Sequence, residues 1–464
     1  MAEVGAEANP LRVAIIGSGP AGFYTVSNLF KQKGLSVELD MYDRLPSPFG
    51  LVRAGVAPDH QKDKSVIRSY GKSAENPNFH FFGNVEYGTH ITLEDLREHY
   101  HQVIFTTGAP VDRNLRVPGE DLIGSHSATE FVAWYNGHPD FADLTFDLSQ
   151  ESVAIVGMGN VAMDVARILS KTPEELEKTD IADYALDALR ESKIKNLYLL
   201  GRRGPAQAAF TPAEIRELGE LNATEVTVRE DEARLDSASI KYTENNPDKN
   251  VQKNIDYITQ YAGREIKDKK KLLTIRFLVS PIELIGQGGK LHSVKLVKNE
   301  AYISDDGSVR ARPTERIEEL PVGLLFRSVG YRGLPLPGIP FHEDWGTIDN
   351  LQGRVCSHFG DVLQGLYTAG WIKRGPTGVI GTNKTCAQET VGCMLEDLRA
   401  GQLLSSKVSG RDDLIEFIRS RQPRMVTYED WKKIDYAEVS KGAAENRPRV
   451  KFTSVDEMLS FLKG

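Results

Sequence analysis

Residues 13–24, VAIIGSGPAGFY, could hold a dinucleotide through backbone rather than side-chain chemistry. Gly17, Gly19 and Gly22 form a G-x-G-x-x-G pattern between an apolar run and a helical one, which is the context that such a site requires. The first glycine permits the tight turn, the second lets amides approach a pyrophosphate, and the third allows close helix–strand packing. The following VELDMYDRLP predicts a strand ending at Asp43, whose carboxylate could bind both hydroxyls of an adenosine ribose. An ordinary strand–turn–helix joint is the alternative.

A second glycine turn at 153–167, VAIVGMGNVAMDVAR, follows the G-x-G-x-x-A form with Gly157 and Gly159. The next predicted strand, in KNLYLLGRRGP, ends at Arg202 and Arg203 and carries no acid. Two guanidiniums suit the 2′-phosphate of NADP, which a carboxylate would repel. Exposed arginines in surface salt bridges are the alternative. One turn therefore predicts a dinucleotide with a free ribose, and the other a dinucleotide with a phosphorylated ribose, as FAD and NADPH have.

Alternating strand and helix patterns must position these two turns. The arginines follow the second turn at about twice the usual spacing, so an extra helical segment is expected at 173–193. The pattern predicts an α/β fold with two Rossmann-like three-layer dinucleotide-binding domains, the NADP domain inserted into the FAD domain. The first part of the FAD domain is predicted at 1–108 and the NADP domain at 109–331. The second part of the FAD domain, with a helical tail, is predicted at 332–464.

Composition excludes several classes of protein. The net charge of −8 argues against nonspecific nucleic-acid binding. The sequence has no run of about eighteen apolar residues, so no transmembrane helix is predicted. The three cysteines, Cys356, Cys386 and Cys393, form no C-x-x-C pair. This argues against a disulfide scaffold, an internal iron–sulfur cluster and a thioredoxin-type redox pair. We expect Cys386 and Cys393 to be buried small apolar residues on a helix.

The N-terminal sequence MAEVGAEANPLRVAIIG is short and acidic. It has neither the basic and apolar regions of a secretory signal nor an Arg-rich amphipathic arm. It predicts a disordered lead into the first strand. The expected location is cytoplasmic, or the mitochondrial matrix if a targeting segment was removed.

Longer stretches resemble a known family. GSGPAGFYT, PFGLVRAGVAPDH, FFGNVEYG, WYNGHP, VGMGNVAMDVARIL, EKTDIADYAL, SVGYRG and GWIKRGPTGVIGT follow one another from about residue 12 to 395, and YEDWKKIDYAEVSKG and RPRVKF extend the match. They resemble the adrenodoxin reductase family, the NADPH–ferredoxin reductases built like glutathione reductase. The resemblance implies that FAD takes a hydride from NADP(H) and passes single electrons to an iron–sulfur ferredoxin.

The resemblance also implies the site residues. It places FAD on Gly17, Gly19, Pro20, Ala21, Gly22, Asp43, Leu51, Val85, Gly370, Trp371, Gly378, Val379 and Ile380. It places the nicotinamide nucleotide on Gly159, Asn160, Val161, Arg113, Arg202, Arg203 and Glu214.

His60 and Glu214 are the implied catalytic pair, and no metal is predicted. The resemblance implies that they position the carboxamide of nicotinamide, whereas a structural ion pair is the alternative. The family has K-E-L where this chain has Ala213, Glu214 and Ile215. No side-chain acid or base is required, because hydride transfer is the chemistry of the cofactors themselves. PTGVIG at 376–381 predicts a helix N-terminus whose amides could stabilise negative charge on a reduced flavin.

The expected partner is an acidic [2Fe–2S] ferredoxin, and the protein is expected to be a monomer or weak dimer. A basic surface would steer such a partner. Candidate residues are Lys253, Arg264, Lys267, Lys269, Lys270 and Lys271, with a solvated charged loop as the alternative.

Three other functions compete with this interpretation. A flavin monooxygenase also uses FAD and NADPH, but the sequence shows no further sign of its closed substrate pocket. A disulfide reductase is disfavoured by the missing C-x-x-C. A nucleotide-sensing binding protein would not turn over, and flavin that NADPH cannot reduce would favour it.

Overall fold

The computed structural model describes residues 3–264, 269–406 and 411–463, which cluster into two compact units. The first unit consists of Met1–Val56, His60–Val111 and Tyr331–Gly464, and the second of Ala57–Asp59 and Asp112–Gly330. The second unit is therefore inserted into the sequence of the first.

The elements follow one another in three stretches. Before the insertion lie β1 Leu11–Ile16, α1 Pro20–Phe30, β2 Val37–Tyr42, α2 Leu51–Ala54, α3 Gln61–Lys64, α4 Ile67–Ala74, β3 Phe79–Phe82, α5 Leu93–His99, β4 Gln102–Phe105 and, at the crossing, β5 Val111–Asp112. The insertion contains β6 Ser125–Ser127, α6 Ala128–Tyr135, β7 Ser152–Val156, α7 Asn160–Ser170, α8 Pro173–Leu176, α9 Asp183–Arg190, β8 Asn196–Leu200, α10 Pro212–Leu218, β9 Thr224–Val228, α11 Glu230–Ala233, α12 Ser237–Asn245, α13 Lys249–Ala262, β10 Lys271–Arg276, β11 Val279–Gln287, β12 Lys290–Ile303, β13 Val309–Pro321 and β14 Leu324–Arg327, with 3₁₀ turns at Pro139–Phe141 and Pro205–Gln207. After it lie β15 Tyr331–Arg332, β16 Phe341–His342, β17 Thr347–Ile348, β18 Asn350–Leu351, β19 Arg354–Cys356, β20 Val362–Thr368, α14 Trp371–Arg374, α15 Thr382–Arg399, α16 Arg411–Arg421, α17 Tyr428–Ala444 and α18 Val455–Phe461.

A seven-stranded sheet of order β18-β19-β20-β4-β1-β2-β3 forms the centre of the first unit. From β20 to β3 all neighbours are parallel. Alternate residues of β1 enter two different cores: Val13 and Ile15 pack on the side of α1 and α15, and Ala14 and Ile16 on the opposite side. A parallel sheet buried on both faces explains why β1 is almost wholly apolar.

The second unit has three layers around a parallel sheet of order β6-β14-β7-β8-β10-β9. Val153 and Ile155 of β7 face a core that includes helix α7. Ala154 and Val156 face the three-stranded antiparallel sheet β11-β12-β13 through Val294 and other apolar residues. One face of the sheet is thus covered by helices and the other by a second sheet.

The predicted α/β class with two Rossmann-like units, one inserted into the other, is confirmed. The segment 173–193 forms two short helices, α8 and α9, rather than one. Within the described part of the chain, no helix has both the length and the apolar character that crossing a bilayer would need.

The prediction of a disordered N-terminal lead is wrong for residues 3–10. The amide of Gly5 donates to the carbonyl of Asn9, and the carbonyl of Gly5 accepts from Ser36, both at 2.8 Å. Val4 packs against the core of the first unit. The acidic composition of this segment gave no sign that Val4 would pack against the core or that the turn at Gly5 would bond to Ser36, just before β2.

Candidate functional site

The first glycine turn leaves open space at its second glycine. Gly17 has φ +103°, and a Cβ there would lie 2.8 Å from the carbonyl oxygen of Thr106. A Cβ on Gly22 would lie 2.5 Å from the carbonyl oxygen of Gly17, whereas one on Gly19 would meet nothing within 4 Å. The protein's own backbone therefore requires Gly17 and Gly22. Gly19 instead faces space through which a ligand could approach.

Helix α1 begins at Pro20 directly after this turn and has no side-chain N-cap. Thr92 and Thr427, by contrast, cap α5 and α17 with their hydroxyls. The uncapped first turn of α1, which contains Ala21, therefore offers backbone N–H groups and the positive end of the helix dipole to an anion.

Asp43 lies immediately after β2 and is braced by the same turn. Its Oδ2 accepts from the Ser18 amide at 3.0 Å and from the Ser18 hydroxyl, and its Oδ1 accepts from the Leu45 amide at 3.0 Å. The amide of Val85 donates to the Asp43 carbonyl at 2.9 Å. Because a carboxylate has about four acceptor positions, Asp43 keeps the capacity to accept from ribose hydroxyls.

Sequence-distant stretches of the first unit converge on the turn. A Cβ on Gly50, just before Leu51 opens α2, would lie 3.1 Å from the Cα of Gly19. A Cβ on Gly370 would lie 2.6 Å from the Cβ of Ala21. The first turn, the PFGL segment and the GWIKRGPTGVIGT segment are thus neighbours, as a shared flavin site would require.

The third stretch ends in a loop with unpaired donors. Helix α15 begins at Thr382, so PTGVIG does lead into a helix N-terminus, and this helix has no side-chain cap. Across the described residues, the amides of Gly378, Ile380 and Gly381 have no hydrogen-bond acceptor. Val379 is 55% exposed. Open backbone donors at the start of an 18-residue helix fit an anionic or carbonyl-bearing ring edge.

Trp371 is half-buried beside this loop rather than in the core. Its indole Nε1 donates to the carbonyl of Thr377 at 3.1 Å. Its ring lies 5.6 Å from that of Tyr331, at an interplanar angle of 31°. The indole is therefore fixed in orientation.

The second glycine turn repeats the logic of the first. Gly157 has φ +144°, and a Cβ there would lie 2.1 Å from the carbonyl oxygen of Ser328. A Cβ on Gly159 would meet nothing within 4 Å. Helix α7 begins at Asn160 without a side-chain cap, followed by the half-buried Val161. This turn too leaves room at its second glycine.

Arg202 and Arg203 lie beside this turn despite their distance in sequence. Strands β7 and β8 are parallel with Val156 opposite Leu200, and the amide of Gly157 donates to the Leu200 carbonyl at 2.9 Å. The two strands therefore end together, and the extra helices α8 and α9 lengthen only the connection between them.

Both arginines are exposed, and neither forms an ion pair with any residue that the structure describes. The alternative of surface salt bridges is therefore not observed. Partial desolvation and the like charge of Arg202 lower the pKa of the Arg203 guanidinium. Two adjacent cations without an acid form a place for a phosphate.

Glu214 is buried and is held by Arg167 of α7. Arg167 is 1% exposed and donates to Glu214 Oε2 at 2.9 Å, to Asp59 Oδ2 at 2.8 Å and to Asp164 Oδ1 at 2.6 Å. Lys171 Nζ lies 2.7 Å from Asp59 Oδ2. Burial alone would lower the pKa of the Arg167 guanidinium, but the surrounding carboxylates raise it well above its usual value.

This network was missed by sequence reasoning. The only local signal was the i,i+3 spacing of Asp164 and Arg167 on the helix that the second turn opens. Glu214 itself lies on α10, whose N-terminal Thr211 donates its amide to Asn160 Oδ1 at 2.9 Å. Helix α10 is therefore tied to both ends of α7: Thr211 bonds Asn160 at its start, and Glu214 bonds Arg167 in its last turn.

Arg113 lies near the second glycine turn, whereas His60 belongs to the other unit. The amide of Arg113 donates to the Gly330 carbonyl at 2.9 Å, so Arg113 lies just beyond β14, the neighbour of β7. His60 belongs to the first unit, with Nδ1 3.9 Å from Asp63 Oδ2, and Glu214 belongs to the second. Their pairing stays a prediction.

All three cysteines are free and buried, as expected for Cys386 and Cys393. Cys386 Sγ accepts the amide of Gly370 at 3.3 Å. The thiols thus contribute to packing and form no disulfide.

Two Rossmann-like units with a glycine turn at each helix start define a class of oxidoreductase that binds two dinucleotides. The sequence profile described as pyridine nucleotide-disulphide oxidoreductase matches residues 11–198. The chain is 44% identical over 458 residues to the NADPH-ferredoxin reductase FprA of Mycobacterium tuberculosis, covering 97% of this chain and 98% of that one. It is 40% identical over 468 residues to the mitochondrial NADPH:adrenodoxin oxidoreductase of Arabidopsis thaliana, covering 98% and 96%.

The solved structure of Mycobacterium tuberculosis FprA in complex with NADPH superposes with a TM-score of 0.92, at 43% identity, covering 98% of this chain and 100% of that one. The chain belongs to the adrenodoxin reductase family of NADPH–ferredoxin reductases.

Proposed function

We propose that this chain is an FAD-containing NADPH–ferredoxin reductase. One observation carries the proposal: the two units hold two uncapped glycine-turn helices, one followed by an acid, Asp43, and the other by the cations Arg202 and Arg203. Two such sites in one chain of this family match the demands of FAD and NADPH. Bound FAD would accept a hydride from NADPH and pass electrons one at a time to an iron–sulfur acceptor.

The first unit is proposed as the FAD domain. Asp43 would bind the adenosine ribose, and the amides that open α1 would bind the pyrophosphate. Gly378, Val379 and Ile380, next to Trp371, would bind the flavin ring. The donors at the start of α15 would stabilise negative charge on it. The proposed domain segments remain 1–108, 109–331 and 332–464.

The second unit is proposed as the NADP domain. The amides at Gly159, Asn160 and Val161 would bind the pyrophosphate, and Arg202 and Arg203 the 2′-phosphate. Glu214 would accept from the carboxamide of nicotinamide, with His60 as its predicted partner. The role of the chain in the reaction would be to hold the nicotinamide in the orientation that hydride transfer requires, since correct positioning accounts for much of the rate enhancement of such a transfer.

The electron acceptor is proposed to be an acidic [2Fe–2S] ferredoxin, with the reductase acting as a monomer or weak dimer. Within the predicted basic surface, three side chains already contact other groups of the same unit. Lys269 donates to the Leu221 carbonyl at 2.9 Å, Lys271 donates to the Leu169 carbonyl at 2.6 Å, and Arg264 stacks on the ring of Tyr261.

Lys253 and Lys270 are exposed, whereas Lys267 lies outside the described residues. The docking proposal therefore concentrates on Lys253 and Lys270. The cytoplasmic or mitochondrial location stays a prediction.

Cytochrome c reduction tests the proposed function. NADPH should drive it at a high rate only when a [2Fe–2S] ferredoxin is added, and NADH, as the paired control, should drive it poorly. Rapid NADPH consumption that ignores ferredoxin and yields peroxide or an oxygenated product would instead favour a monooxygenase. Flavin that NADPH cannot reduce would favour a nucleotide-sensing protein.

A further inference from the structure

Arg374, the last residue of α14, spans the loop 375–381. Its Nη2 donates to the carbonyl of Thr377 at 3.0 Å, and its Nη1 donates to Oδ1 of Asn383 at 3.1 Å. Asn383 lies in the first turn of α15 and is 5% exposed. Its Nδ2 donates in turn to the Ile380 carbonyl at 3.2 Å. One guanidinium thus connects the loop to the helix that follows it.

The first half of the loop, around Thr377, has little support from its own backbone. Gly375 and Gly378 have φ of +82° and +78°, a region from which glycine departs easily because it has no Cβ. In this half the amide of Thr377 donates to the Gly375 carbonyl at 2.9 Å, whereas the carbonyls of residues 379–381 accept from the first amides of α15 at 3.0–3.2 Å. The Thr377 carbonyl is held from two sides, by Arg374 and by the indole of Trp371.

The braced loop keeps its amides available. The N–H groups of Gly378, Ile380 and Gly381 have no acceptor among the residues that the structure describes. Donors that are fixed before a ligand arrives cost little reorganisation when it binds, and this is the basis of preorganised electrostatic stabilisation.

We propose that Arg374 is a positioning residue for the flavin: it fixes the 375–381 loop so that the amides of Gly378, Ile380 and Gly381 meet the pyrimidine edge of the ring. This inference rests on the proposed function of the first unit as the FAD domain. Arg374 acts through the loop and is not itself assigned a contact with the cofactor.

Substitution of Arg374 in the purified holoenzyme tests the inference. In Arg374→Met, FAD should be released about ten- to a hundredfold faster after dilution, the range expected from losing hydrogen bonds to a charged group. The reduction potential of the bound flavin should also become more negative, because negative charge on the reduced ring loses its donors. Arg374→Lys should rescue only part of both effects, since one ammonium cannot reproduce a bidentate guanidinium.

Arg399→Met is the matched control, because Arg399 is exposed at the C-terminal end of α15, far from the bonds that Arg374 makes to the start of that helix. It should match the unsubstituted enzyme in both measurements. Unchanged FAD release and unchanged potential in Arg374→Met would overturn the inference. If that variant does not fold, the same result in Arg374→Lys would overturn it. Purified unsubstituted protein without FAD would instead contradict the proposed function.

Discussion

Arg202 and Arg203 should determine the choice between NADPH and NADH. Each guanidinium would donate charge-assisted hydrogen bonds to the 2′-phosphate, worth about 1.5–3 kcal/mol. Replacing both by alanine should raise the KM for NADPH about a hundredfold or more and leave NADH nearly unaffected, as measured by steady-state kinetics. Arg229→Ala, a change at an arginine of the same unit that pairs with Glu318, should alter neither value. Equal losses with both nucleotides would contradict the assignment of the 2′-phosphate.

Arg167 should be a major source of stability in the second unit. It is buried among Asp59, Asp164 and Glu214, so Arg167→Met would remove a shared cation from three carboxylates, with Lys171 still beside Asp59. Removing one partner of a buried ion pair costs about 3–5 kcal/mol. Urea unfolding should therefore shift to lower concentration.

An exposed arginine gives the comparison for Arg167. Arg190 is 42% exposed and pairs with Asp187 and Glu177. Arg190→Met should change the free energy of unfolding by about 1 kcal/mol at most, the value typical of surface pairs. Equal unfolding midpoints for the two variants would show that the buried network does not stabilise the fold.

His101 should make the first unit less stable below neutral pH. It is 6% exposed, its Nδ1 accepts the amide of Arg12 at 3.0 Å, and burial together with the charge of Arg12 lowers its pKa to about 4. An unfolded histidine titrates near 6.5. As the pH falls from about 6.5 to 4, the unfolded chain binds a proton that the folded chain does not. Stability therefore decreases over that window, by about 2–3 kcal/mol.

Thermal unfolding between pH 7.5 and 4.5 checks this effect. His101→Asn keeps an acceptor for the Arg12 amide and should lose part of the decline. His358→Gln changes a histidine whose side chain is 68% exposed, and it should retain the full pH dependence. A pH dependence that is the same in His101→Asn as in the unsubstituted protein would exclude His101 as the cause.

At the scale of the elements, the two glycines of the second turn should have different roles, Gly157 in folding and Gly159 in nucleotide binding. Gly157→Ala should destabilise the protein even without nucleotide, because its Cβ would lie 2.1 Å from the Ser328 carbonyl. Gly159→Ala should leave the Tm nearly unchanged, since φ at Gly159 is −101° and its Cβ meets nothing. It should nevertheless weaken NADPH binding about tenfold or more, because the methyl group occupies the approach to the pyrophosphate. Calorimetric Kd values and thermal scans of both variants measure the two effects. Unimpaired NADPH binding by Gly159→Ala would place the pyrophosphate elsewhere.

Elements defined by local pattern could be predicted from the sequence. β1, α1, β7 and α7 follow from an apolar run, a glycine turn and a helical period, all within about fifteen residues. The position of Arg202 and Arg203 could also be predicted, because they come directly after a predicted strand and so lie at its carboxyl end. Parallel pairing of β7 with β8 then restored the adjacency that the long connection obscured.

Features made by distant pairing could not be predicted. Arg167 meets Asp59 and Glu214, which lie 108 and 47 positions away, so no local pattern identifies them. The antiparallel sheet β11-β12-β13 that covers one face of the second unit was likewise not foreseen. The bracing of the 375–381 loop by Arg374 depends on side-chain directions that spacing does not specify.

At the scale of the whole molecule, partner binding should depend on salt. Lys253→Glu with Lys270→Glu should lower kcat/KM for an acidic ferredoxin several-fold and flatten its dependence on ionic strength, because rim charges act mainly on the association rate. Lys31→Glu with Lys33→Glu, an equal charge change at two exposed lysines of the first unit, is the control. Turnover and salt dependence unchanged by the double reversal would remove these two lysines from the docking surface.

The sheet of the first unit is completed late in the chain. Strand β4 ends at Phe105, and its neighbour β20 contributes Thr368, whose hydroxyl donates to the Phe105 carbonyl from 263 positions further along. Ribosomes add about 5–20 residues per second, so β4 emerges some tens of seconds before its partner. The long stretch of the inserted unit, Asp112–Gly330, is synthesised during that interval. This stretch can fold while one edge of the earlier sheet still lacks its neighbour. During synthesis, the part of the chain that starts first would therefore be the part that finishes last.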